Sequence, residues 1–297
     1  METKPCKTSL RPAVSPDSEA CFFVSAPDYD LEKTFDCGQC FRFSRVPDSP
    51  YLCEYEGVAH GRYVRFARAA GGLHILNASA REISEIWLPY LSLDTDYAAI
   101  RARILRDLPF PAMREAVAAA GGIRILRQAR FETLCSFILS QNNNIPRIKK
   151  IIEAISAHCG APLETPRGRR YAFPEPRTLA ALTEADLRAL GCGFRARYIA
   201  DAAQSVASGQ LALDRLPRAE ADAALREICG VGEKVSACVR LYGLGDLSAF
   251  PVDVWIRRSL RSHFKDGFDA EHAGIYGGVA QQYLFYYERY ILAHRGK

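Results

Sequence analysis

The sequence contains no run of 18 apolar residues, so no membrane span is expected. It also lacks an apolar stretch of the secretory kind. Its ten cysteines are therefore expected as free thiols in a reducing, cytoplasmic interior rather than as a disulfide framework. A second cysteine pair is missing too. Cys37 and Cys40 form a lone C-x-x-C with no partner pair at zinc spacing, so core packing or chance accounts for them. No internal repeat is evident. The charge excess is small: 39 basic against 34 acidic residues leave a formal charge of +5, with a pI near 8.6. That balance suits a polyanionic partner without requiring one.

What is present is an ordinary globular composition. The 297 residues are 48% apolar and 25% charged, enough for one large or two modest domains with a real core. Residues 1–19 are rich in Ser, Pro and Lys, lack apolar periodicity and are expected to form a mobile tail. From Cys21 to about Asn77 the chain reads as strands (CFFVS, QCFRFSR, YLCEYEG, GRYVRFARA, LHILNA) punctuated by Gly, Pro and Asp. From Glu82 onward the spacing is helical. Phe131, Leu134, Cys135, Ile138 and Leu139 recur at three and four residues, as do Ile148, Ile151, Ile152 and Ile155. Thr183 with Asp186 reads as a capping box, and Gly191 as the stop of that helix. Ile256, Leu260 and Phe264 mark a further stripe, and Ala280, Leu284, Tyr287 and Ile291 the last. The expected architecture is α+β: an antiparallel sheet domain over 20–110, then an all-helical domain over 111–297.

Within the helical part, Gly230-Val231-Gly232 joins a short helix ending near Leu225 and Ile228 to a second helix from Glu233 to Leu241. Two glycines permit close approach of backbone to ligand, and N–H groups at a helix start favour anions. This is a helix–hairpin–helix, a device that grips DNA phosphates without reading bases. Lys234 falls in the first turn of the second helix, while Val235, Val239 and Tyr242 form its buried stripe. One reading is a phosphate contact or a solvated ammonium; the other is an amine nucleophile. A free lysine titrates near ~10.4, and partial burial with a positive helix end would both lower that value. Cys238, one turn on, could line the same pocket. Asp253, in Phe250-Pro251-Val252-Asp253-Val254-Trp255, is a good N-cap for the next helix. A carboxylate there could also stabilise an oxocarbenium ion as a glycosidic bond breaks.

GVGEKVSAC followed by FPVDVW resembles the helix–hairpin–helix DNA glycosylases, with the closest similarity to the 8-oxoguanine-excising branch. The resemblance spans roughly 20–293 and implies a TBP-like antiparallel sheet domain packed on a helical domain. It implies further roles, each beside a plainer one. Ser140-Gln141-Asn142-Asn143-Asn144 is a polar turn by composition. By resemblance Asn142 fills the gap left by an extruded nucleotide and Arg147 contacts the orphaned partner base. Gly193-Phe194-Arg195-Ala196-Arg197-Tyr198 resembles the family's wedge, with Phe194 where the family usually has Tyr, so stacking survives but a phenol hydroxyl is lost. Arg195 would join Arg147, two guanidiniums donating to O2 and N3 of cytosine; alone, either would serve a phosphate. Gln281 and Phe285, spaced i, i+4, could be a solvated amide and a half-buried ring. By resemblance the ring stacks on the flipped base and the amide bonds its Watson–Crick edge. Gly230, Val231, Gly232 and Trp255 would hold phosphates.

Phe35-Asp36-Cys37-Gly38-Gln39-Cys40-Phe41-Arg42 matches a strand motif of the family. Gly38 could be only a bulge or turn. In the functional reading its buried carbonyl accepts the hydrogen that 8-oxoguanine carries on N7 and repels the lone pair of guanine. Leaving such a group unpaired costs about 1–3 kcal/mol, roughly tenfold to a hundredfold in discrimination, so it cannot be the only filter.

The implied activity is that of a bifunctional DNA glycosylase and β-lyase in base excision repair. It acts as a monomer on double-stranded DNA containing 8-oxoguanine opposite cytosine, with Lys234 and Asp253 catalytic. No cofactor or metal is expected. Relatives with an iron–sulfur cluster carry clustered cysteines after the Asp, whereas Cys238 is the last cysteine here. Two rivals stay open: a helix–hairpin–helix glycosylase for alkylated or mispaired bases, and a non-catalytic DNA-binding module.

Overall fold

The structure, a computed structural model, describes residues 10–15, 20–264, 268 and 271–293. Six strands form one antiparallel sheet: β1 Leu10–Ala13, β2 Cys21–Ser25, β3 Phe43–Arg45, β4 Glu54–Ala59, β5 Arg62–Ala69 and β6 Gly72–Leu76, in the order β1-β2-β6-β5-β4-β3. The β4–β5 hairpin turns on His60 and Gly61, both with positive φ (50° and 69°), the two-residue geometry that matches strand twist. Alternation along β5 sends Val64 and Phe66 to a buried face, shared with Val24, Tyr55, Leu73 and Ile75. That face packs on Phe35, Trp87 and Tyr90, with the Phe66 and Trp87 rings edge to face at 5.7 Å.

Two expectations need correction. Within the tail, Leu10–Ala13 is a strand paired with β2, Leu10 opposite Val24. Edge pairing uses backbone groups and needs no apolar period, so composition alone hid it. Residues 1–9 and 16–19 of that tail lie outside the described residues. The 35–42 motif is not a strand. Leu31–Asp36 is a helix whose N-cap Asp30 accepts from Lys33 N at 2.9 Å, and the chain then turns irregularly through Gly38, at φ +81°, before β3 begins. A left-handed residue cannot continue either a helix or a strand.

Helices Tyr97–Asp107, Pro111–Ala120, Arg130–Leu139, Ile145–Cys159, Ala196–Ala207, Glu233–Tyr242, Val254–His263 and Gly277–Tyr286 contribute to one apolar interior. Leu93 packs with the sheet, whereas Tyr97 and the helices after it pack with one another. A small hairpin, β7 Pro162–Thr165 with β8 Gly168–Tyr171, decorates this domain. Among the described residues no helix is long and apolar enough to cross a membrane.

One side chain does much of the joining of the two domains. Buried Gln39 donates through Nε2 to Thr34 O (2.9 Å) and Arg124 O (2.8 Å) and accepts from Leu126 N (2.9 Å). Its own carbonyl accepts from Gln128 Nε2 at 2.7 Å. Arg42 adds Ser156 Oγ (2.6 Å) and Glu153 (2.9 Å), and Lys149 Nζ donates to Phe43 O at 2.6 Å. These bonds bracket Gly38 and hold its loop against the helical domain.

Candidate active site

A cleft of about 580 Å³ opens between the two domains. The Gly38 turn, the Asn loop and the Glu233–Tyr242, Val254–His263 and Gly277–Tyr286 helices all line it. Eight of the site residues singled out in the sequence line it: Gly38, Asn142, Lys234, Cys238, Asp253, Trp255, Gln281 and Phe285.

Lys234 occupies the first turn of the Glu233–Tyr242 helix, half-buried. Its Nζ donates to Ser140 Oγ at 3.1 Å and lies 5.2 Å from the centre of the Phe137 ring. The neighbouring positions Val235 and Val239 are buried and anchor the helix, so the lysine is delivered to the cleft by a rigid element. Cys238 is buried one turn on. Its thiol is pushed up to about 11, chiefly by burial, with Lys234 pulling it down and Asp253 pushing it up. Lys234 and Asp253 therefore lie close to the same buried thiol, which remains protonated at neutral pH.

Asp253 is the N-cap of Val254–His263, accepting from Ile256 N at 2.9 Å, and it also lines the cleft. The cap bond uses one carboxylate oxygen and leaves the other acceptor positions free, so the expected functional role is compatible with the structural one.

Gln281 is not solvated. It is 4% exposed, and its Oε1 has no hydrogen-bond partner among the described residues. A buried amide oxygen without a donor is costly in a resting protein, and a base edge offering N–H groups would satisfy it. Phe285 lies one turn further along the same helix, buried at the cleft wall. Gly38 is half-buried rather than buried. A Cβ there would find only ordinary contacts, Ile145 Cδ1 at 3.5 Å and Arg289 Nη1 at 3.9 Å.

Of the residues expected at the partner base, only Asn142, whose φ is +46°, lines this cleft. Phe194 is 48% exposed, and Arg147 is exposed. Arg195 departs from the expectation of a free guanidinium. It is 2% exposed; Nε donates to Gln141 O and Nη2 to Asn142 O, each at 2.8 Å. Burial, then the nearby positive charge of Arg147, lowers its pKa. In this state Arg195 clamps the Asn loop.

The hairpin is docked on the wedge. Cys229 N donates to Asp201 Oδ2 at 2.8 Å, and Gly230, at φ +79°, leaves room for the Tyr198 ring, which a Cβ would meet at 2.5 Å. Val231 is buried, pinning the turn. Gly232 is an N-cap with no capping side chain and open space beside it, which leaves room for an anion at the first turn.

Sequence reasoning missed several residues of the cleft. Tyr242 was assigned to packing, yet its hydroxyl donates to Gln282 Oε1 at 2.5 Å and its ring stacks on Phe137. Gln282 Nε2 in turn reaches Cys37 O at 3.5 Å, beside Gly38. Arg289 lies over Phe285 at 5.5 Å and Tyr290 at 5.2 Å. A Gln-Gln pair in an otherwise apolar helix was the available signal for Gln282.

Comparison with known proteins agrees with this geometry. Residues 22–134 match the family model of the 8-oxoguanine DNA glycosylase N-terminal domain, and residues 135–270 that of the HhH-GPD superfamily of base excision DNA repair proteins. The chain is 32% identical to the N-glycosylase/DNA lyase OGG1 of Arabidopsis thaliana, over 86% of this chain and 76% of that relative. Among solved structures, MBOgg1 in complex with a low-affinity DNA ligand is 37% identical with a TM-score of 0.87, covering 98% of this chain and 100% of its own. The 8-oxoguanine glycosylase/lyase of Clostridium acetobutylicum, in complex with double-stranded DNA containing cytosine opposite 8-oxoG, is 34% identical with a TM-score of 0.85, covering 97% and 99%. With both domains matched and relatives followed along most of their length, the chain belongs to the 8-oxoguanine DNA glycosylases of the helix–hairpin–helix superfamily, bifunctional enzymes that bind double-stranded DNA, release the oxidised base and cleave the strand at the abasic site.

Proposed function

We propose that the chain removes 8-oxoguanine opposite cytosine with Lys234 as nucleophile and Asp253 as its electrostatic partner, working as a monomer in a reducing interior. The observation that carries this reading is convergence. The half-buried Lys234, the Asp253 carboxylate and the unpartnered Gln281 amide oxygen share one cleft wide enough for an extruded nucleotide.

The chemistry follows from those groups. The amine of Lys234 attacks C1′ of the flipped nucleotide. The C1′–N9 bond breaks, and its electron pair leaves with the base, which takes up a proton. Positive charge grows on the sugar as the bond lengthens, and the Asp253 carboxylate stabilises it. Loss of O4′ from C1′, with a proton, yields the imine. Removal of a C2′ proton then expels the 3′-phosphate and nicks the strand. Phe285 stacks on the base, Gln281 bonds its Watson–Crick edge and the Gly38 carbonyl accepts the N7 hydrogen. No backbone N–H among the described residues donates to that carbonyl, which supports its availability. Gly230 to Gly232 and Trp255 hold the backbone; Asn142, Arg147, Phe194 and Arg195 serve the gap and the partner base.

Borohydride trapping on duplexes carrying one 8-oxoguanine opposite each of the four bases tests the reading. The expected result is a covalent adduct, strongest opposite cytosine. Lys234→Gln keeps duplex binding and loses the adduct, with base release falling by about 10³-fold or more, as for other covalent nucleophiles. Retained strand cleavage in that variant would overturn the assignment.

A further inference from the structure

Ser140 joins two parts of the site that do different work. It caps the Arg130–Leu139 helix and opens the loop that carries Asn142. Its hydroxyl donates to Phe137 O at 2.7 Å, so only oxygen lone pairs remain to face Lys234, whose Nζ donates to it at 3.1 Å. An amine that commits one N–H to a fixed acceptor has its other directions set by tetrahedral geometry. The lone pair is thereby aimed. On the loop side, Arg195 donates to the carbonyls of Gln141 and Asn142, each at 2.8 Å, and Asn143 Nδ2 to Leu139 O at 2.9 Å. Lys234, Ser140, Gln141, Asn142 and Arg195 thus form a continuous chain of contacts. The N–H groups that Arg195 spends on the loop are not free for a partner base, so contact with that base through the same groups would compete with the loop that begins at Ser140.

We infer that Ser140 is a positioning residue that aims Lys234 and transmits the state of the partner-base loop to the nucleophile. The inference rests on Lys234 being the glycosylase nucleophile. Ser140 bonds the attacking nitrogen but takes no part in any bond made or broken, and acts only through Lys234.

The test is single-turnover base release and borohydride trapping on duplexes with 8-oxoguanine opposite cytosine or adenine. Ser140→Ala lowers both rates opposite cytosine by about tenfold or more, the scale of a misaimed nucleophile, with duplex affinity within about twofold. It also narrows the cytosine-over-adenine preference. Ser140→Thr, which keeps the hydroxyl, restores rate and preference. Combined with Arg195→Ala, Ser140→Ala narrows the preference no further than either change alone, as linked residues do. Wild-type rates in Ser140→Ala would overturn the inference, as would a slow variant with unchanged preference, failure of Thr to rescue, or additive losses in the double variant. A wild type that gives no adduct would instead overturn the nucleophile assignment, and the inference with it.

Discussion

Gly38 carries a selectivity argument in its backbone alone. At φ +81° alanine is strained by about 1–2 kcal/mol, but the Cβ itself meets only ordinary contacts at 3.5 Å and beyond. The strain therefore acts on the orientation of the carbonyl more than on the fold. Gly38→Ala is expected to reduce the preference for 8-oxoguanine over guanine by roughly tenfold while the protein stays folded. Excision rates on matched duplexes measure the ratio, and an unchanged ratio removes Gly38 from recognition. Gln281 makes the complementary case. Its identity and its spacing from Phe285 were readable, but that its amide oxygen is buried without a donor was not. Burial depends on what packs around a helix, and this helix is enclosed on nearly every face from Gly277 to Phe285.

At the scale of elements, Asp253 caps a helix and is proposed to serve the reaction as well, and two substitutions separate the roles. Asn caps as well as Asp, so Asp253→Asn keeps the bond to Ile256 N and the thermal midpoint, but loses the negative charge and at least about 10²-fold in base release. Asp253→Ala loses both, with about 1 kcal/mol of stability gone as well. Equal activity in the Asn variant and wild type would reduce Asp253 to a cap. The hairpin offers a second test. Gly230→Ala adds left-handed strain of about 1–2 kcal/mol, and its Cβ collides with the Tyr198 ring at 2.5 Å. The turn must shift away from the Ala196–Ala207 helix. Affinity for undamaged duplex then falls, and titration at fixed salt reads the loss. The hairpin was legible because two glycines between helices are a local signal. Its docking on the wedge, through Asp201 and Tyr198, was not, since those partners lie 28 or more residues away in sequence.

For the whole molecule the decisive feature is the seam between sheet and helices. Glu132 faces that seam beside Arg42, Tyr90 and Gln128. Burial is the largest influence on its carboxyl and pushes it up to about 7; Arg42 opposes the rise and Glu153 adds to it. The folded protein thus holds a proton that the unfolded chain, titrating near 4.5, has released. The linked stability is full below about 4.5 and lost as pH rises through about 7. Glu132→Gln is therefore expected to melt higher than wild type at pH 8, with the difference shrinking toward pH 5. A constant difference would show that the group does not titrate at the seam. The same seam explains why Gln39 escaped notice: its value lies in bonds to Arg124, Leu126 and Gln128, contacts of 85 or more residues' separation.

Sequence by itself determined the strand-then-helix order, the hairpin and the capping residues and singled out Lys234 and Asp253 as candidates, because each is written in short-range spacing and local backbone chemistry. Tertiary structure decided the rest. It recruited Leu10–Ala13 to the sheet edge, turned the Gly38 segment out of any strand, left the Gln281 oxygen without a donor among the described residues and spent the Arg195 guanidinium on the loop. These are properties of distant groups brought within hydrogen-bond reach, and no local pattern encodes which distant groups those will be.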